Sequence, residues 1–102
     1  MDTTPIMLKF DGDIEFRKVM SDNAYEIHSR TLYGIDKAFK LNTTDDVILA
    51  YLNHADSMLG IPKDCWLDNL EMTLDFFISI EDYTKCQEVK ELMDKLKNED
   101  TK

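Results

Sequence analysis

The stretch Asp64–Ile80, DCWLDNLEMTLDFFISI, constrains the fold most, because as one helix it carries more apolar surface than a single buried face accounts for. At about 100° per residue, Leu67, Leu70, Leu74 and Phe77 fall on one side as a core stripe. Met72, Phe76 and Ile80, at i, i+4 and i+8, fall on another. Asp64, Asp68, Glu71 and Asp75 line a ridge roughly 60° wide. Such a helix either lies in the middle of its domain or presents its second apolar face to a partner.

A chain of 102 residues is one domain by size and is long enough to bury a core without metal or disulfide. Its hydrophobic content of 43% against 32% charged separates it from disordered sequences. The longest apolar run, Val47–Leu52, is far short of a membrane span. Residues 1–10 show neither a basic segment nor a long apolar one, so the expected location is cytoplasmic. Two cysteines, Cys65 and Cys86, beside apolar or aromatic neighbours read as buried thiols and not as a disulfide framework.

The net charge of −9 is unevenly spread. Residues 1–40 hold seven acids and six bases, and residues 85–102 hold five of each, but residues 41–84 hold nine acids against one base, Lys63. That balance opposes direct nucleic-acid binding, which needs Lys and Arg to displace counterions, and opposes anionic membranes. It suits a basic protein partner.

Along the chain, Ile6, Leu8 and Phe10 alternate ahead of Asp11-Gly12, a hairpin signal with Ile14 and Phe16 as the second strand. A two-residue loop would pair Phe10 with Asp13 and Leu8 with Glu15, placing charge on the apolar face. Phe16, Met20, Ala24, Ile27, Thr31, Ile35 and Ala38 instead keep helical spacing. The reading is therefore an extended lead-in and a helix over about 13–39, capped by Asp11 or Asp13, with Gly34 as the place for a kink. Thr43 or Thr44 caps a second helix over 45–59, with Ile48, Tyr51, Leu52, Ala55, Met58 and Leu59 as its buried stripe. Gly60-Ile61-Pro62 reads as its stop signal. The third helix is 64–80. The fourth is 83–97, with Cys86, Val89, Met93 and Leu96 inward and Glu91–Lys95 as an i, i+4 pair. The fold class expected is all-α, a compact antiparallel bundle or array of about four helices.

Asp82-Tyr83-Thr84-Lys85-Cys86-Gln87-Glu88-Val89-Lys90-Glu91-Leu92-Met93 resembles the second half of the UVR motif, roughly D-(F/Y)-E-K-A-A-x-L-R-D-x-I. Asp82, Tyr83 and Lys85 match outright; Cys86, Val89, Lys90, Glu91 and Met93 are substitutions of similar kind. The resemblance covers about residues 78–97. In that family the segment is a helical hairpin that docks proteins, so the resemblance implies protein–protein contact and no catalysis.

Gly12, Gly34 and Gly60 are isolated and give no phosphate-binding spacing. There is no G-x-S-x-G, C-x-x-C or H-E-x-x-H. Asp11-Gly12-Asp13-Ile14-Glu15 starts like a calcium loop but has Phe16 where the turn needs glycine. A metal site from His28, His54, Cys65 and Cys86 lacks ligand spacing. No catalytic residue, cofactor or metal is therefore expected.

The expected function is a non-enzymatic protein-interaction module (adaptor, regulator or inhibitor) docking through Met72, Phe76, Ile80, Asp64, Asp68, Glu71 and Asp75. A second reading is an acidic decoy filling the nucleic-acid groove of a basic protein, as small phage or mobile-element inhibitors do. Third stands a small enzyme or metalloprotein using His28 and His54. Homodimerisation through the second apolar face is a variant of the first.

Overall fold

The apolar run Val47–Leu52 is a β-strand, and the architecture is built around it. The computed structural model describes residues 5–43, 45–53 and 57–100. In order they form β1 (Ile6–Leu8), α1 (Gly12–Asp22), α2 (Ala24–Lys40), β2 (Val47–Leu52), β3 (Ser57–Ile61), a 3-10 turn (Lys63–Cys65), α3 (Trp66–Ser79) and α4 (Tyr83–Asp100). β2 is the middle strand, parallel to β1 and antiparallel to β3. The protein is thus α-rich with a small sheet, and not all-α as the sequence suggested.

The helix expected over 45–59 is not formed: Val47–Leu52 and Ser57–Ile61 are the antiparallel strands β2 and β3. Six consecutive apolar residues carry no period, so the same run suits a buried strand or a helix. Strand pairing decides in favour of the strand, since Ile6, Met7 and Leu8 align with Ala50, Tyr51 and Leu52. Asn53, in the left-handed region at φ 46°, ends β2, and its Oδ1 accepts from the Phe10 amide at 3.0 Å. Gly60, expected as a helix stop, lies within β3 opposite Ile48. Thr44 and Ala55, which the helix reading also used, and His54, a metal-ligand candidate, lie outside the described residues. Ile48 pairs with Gly60 and Ala50 with Leu59, leaving Leu49 as an extra residue in β2. The bulge lets both Leu49 and Ala50 be buried.

The helix expected over 13–39 is interrupted at Asn23, not at Gly34. Asn23 closes α1 with its own side chain, whose Nδ2 donates to the Val19 carbonyl at 2.8 Å, and its carbonyl accepts the Ile27 amide of α2. Asp11 precedes α1 at the cap position but makes no side-chain capping bond. Gly34 remains helical, and its missing side chain serves packing: an added Cβ would lie 2.6 Å from Val47 Cγ1. α2 can therefore lie close on β2.

α2 also packs against α3, and α3 against α4. The buried stripe of α3 is Trp66, Leu70, Thr73 and Phe77, whereas Leu67 and Leu74, expected at its centre, are half-buried. Thr73 can sit inside because its hydroxyl is hydrogen-bonded to His28 of α2. On α4, Cys86, Val89, Leu92, Met93 and Leu96 face the core. Glu91 accepts a hydrogen bond from Gln87 Nε2 at 3.2 Å.

Candidate functional site

The turn at Lys63–Cys65 starts α3 with Asp64 outside the helix proper, and the four carboxylates then follow the outer side of the element. Asp64, Asp68, Glu71 and Asp75 are all exposed. Among the described residues none of them makes an ion pair: the salt bridges there join Arg30 to Glu26 and Lys40 to Asp36. Lys63, the only base of the acidic segment, is directed to the Trp66 ring, 5.7 Å from its centroid.

The second apolar row divides. Met72 is 62% exposed and Ile80 45% exposed, but Phe76 between them is half-buried. Its ring stacks on His28 of α2 at 4.5 Å between centroids with 19° between planes, and Phe77 meets it edge-on at 5.5 Å. His28 Nδ1 lies 2.9 Å from Thr73 Oγ1. Burial pushes the imidazole below its ordinary pKa, so it is neutral at pH 7. α2 thus consumes the middle of the surplus apolar face and leaves its two ends in water. Ile78 near the end of α3 and Tyr83 at the start of α4 are also exposed. Glu81 makes the corner in the left-handed region at φ 59°, and the Lys85 amide donates to Asp82 Oδ1 at 3.3 Å.

Beside the corner, Lys85 Nζ donates to Tyr33 Oη at 2.6 Å and lies 5.9 Å from the Tyr25 ring centroid. The bond to Tyr33 holds the ammonium above the usual lysine range against the opposing effect of burial. The sequence offered His28 only as a metal-ligand candidate and gave Tyr25 and Lys85 no role. No local pattern marks these contacts, because they join α2 to α3 or α4 across 45 or more residues.

A groove of about 200 Å³ between α2 and α4 is walled by Tyr33, Asp36, Lys40, Glu88, Glu91 and Lys95. Its two lysines and three acids, with Asp36 and Lys40 paired at 2.9 Å, leave no converging set of one charge. No group of three or more His, Cys, Asp or Glu among the described residues is placed to hold a metal ion. No described helix is long and apolar enough to cross a membrane. Comparisons with protein-family models, curated proteins and solved structures gave no match to this chain.

Proposed function

We propose that this protein is a non-enzymatic binding module that docks a partner protein along the outer side of α3. The observation that carries the reading is the exposure of Met72 and Ile80 on the same helical element as four carboxylates unpaired among the described residues. Exposed Met and Ile offer apolar area, and Phe76, braced on His28, gives a rigid shoulder between them. The acids set the partner's chemistry: a surface with an apolar cleft flanked by Lys or Arg, drawn in by long-range attraction. The resemblance of residues 78–97 to a docking helical hairpin is consistent with that role. The acidic-decoy reading shares the four carboxylates but needs no apolar contact.

Capture from native extract on immobilised wild-type protein, beside Met72→Asp/Ile80→Asp and Asp68→Lys/Asp75→Lys variants, tests the proposal. A partner retained by wild type and lost from both variants, with unchanged melting temperatures, supports it. Retention by the Met72→Asp/Ile80→Asp variant with loss only from the charge reversal favours the decoy. Equal retention by all three refutes α3 as the docking element.

A further inference from the structure

The two edges of the sheet are protected unequally. β1 is three residues long, follows Pro5 and runs into Lys9, features that discourage a further strand. β3, the opposite edge, is five residues, Ser57-Met58-Leu59-Gly60-Ile61, with no charge and no proline inside it. Among the described residues, no backbone hydrogen bond from another element closes its outer side. Extended amides and carbonyls left in that state are completed by water or by another strand. Met58 is 59% exposed and shares a cross-strand row with Tyr51 and Met7, so apolar surface runs across the open sheet face to this edge.

We infer that β3 pairs antiparallel with β3 of a second copy of this chain, about a two-fold axis at Leu59, joining two sheets into one. In that register Leu59 meets Leu59 of the second copy, and Met58 lies opposite Gly60 of the second copy. Met58 and Gly60 are two residues apart and so share a sheet face. The missing side chain of Gly60 lies on the side of Ile48, since an added Cβ would come within 3.1 Å of Ile48 Cδ1. Each Met58 therefore covers a glycine flanked by Ile48, and the big-on-small match occurs twice by symmetry. Absence of charge matters because each copy carries −9, and acids on the edge would add local repulsion to the long-range term. A two-fold contact uses the same edge on both copies and closes at the dimer. This surface shares no residue with α3.

Sedimentation of the full chain over a wide concentration range tests the inference, with Met58→Lys, Met58→Glu and Met72→Lys variants. Met58 is exposed, so its variants keep the fold, as circular dichroism will show. The expected result is a monomer–dimer equilibrium that tightens with salt and weakens roughly tenfold in both Met58 variants. Met72→Lys, with the same charge change as Met58→Lys, leaves it intact. Amide exchange of wild type supplies a readout without substitution: β3 amides slow as concentration rises, while α1 amides do not. A monomer at every concentration overturns the inference. So does a dimer that Met58→Lys leaves unchanged, one that Met72→Lys disrupts, or β3 exchange independent of concentration.

Discussion

Replacing Gly34 by alanine separates a local from a tertiary account of this protein by the sign of the effect. In a helix interior, Gly→Ala gains about 1 kcal/mol of helix propensity. In this fold the new Cβ would stand 2.6 Å from Val47 Cγ1, inside any normal carbon–carbon contact. Val47 is β-branched, buried and paired to Ile61, so its methyl cannot swing aside and β2 must shift. Overpacking of this kind costs about 1–3 kcal/mol. Gly34→Ala is therefore expected to be destabilising by about 0–2 kcal/mol, equivalent to a fall in Tm of up to roughly 10 °C for a domain this size. Truncating Val47 removes Cγ1 and leaves only an ordinary contact with Cβ at 4.0 Å. In a Val47→Ala background the same substitution should become stabilising by about 1 kcal/mol. Urea unfolding followed by fluorescence of the single, buried Trp66 measures all four members of the cycle. A rise in stability for Gly34→Ala alone, or additivity of the two substitutions, would refute the close approach of α2 to β2.

Other expectations concern α3 and its neighbours. Met72→Asp and Ile80→Asp should each change stability by less than about 0.5 kcal/mol, whereas Phe77→Ala, fully buried, should cost about 3–5 kcal/mol in urea denaturation. His28, held below its ordinary 6.5 by burial, gives a pH dependence of definite sign. The unfolded chain takes up the proton first as pH falls below 6.5, so stability drops until the lower folded value is passed. His28→Gln should flatten that slope, and NMR titration should find the wild-type imidazole below 6.5. Tyr33→Phe removes the acceptor of the Lys85 ammonium and should return its pKa toward the ordinary 10.5, read from the ε-methylene shifts. Partner binding by α3 should weaken with salt, opposite in direction to self-pairing through β3.

Much of the C-terminal half was legible because its signals are local. α4 has one apolar face of ordinary width, and Cys86, Val89, Met93 and Leu96 lie on its buried side as their spacing implies. The acidic ridge of α3 follows from spacing alone, since like charges a turn apart have nowhere to go but outward. Asp11 likewise sits at the cap position of the first helix, although its side chain makes no capping bond.

What remained illegible depends on residues distant in sequence. Val47–Leu52 has no period, so its state was decided by Ile6–Leu8 on one side and Ser57–Ile61 on the other. Gly34 looks like a helix weakness until Val47 is brought against it. Asp64–Ile80 determined by itself that one helix would have more apolar surface than a simple face needs. Only the packing of α2 decided how that surplus was divided, because His28 could cover Phe76 and satisfy Thr73 from one position, leaving Met72 and Ile80 in water.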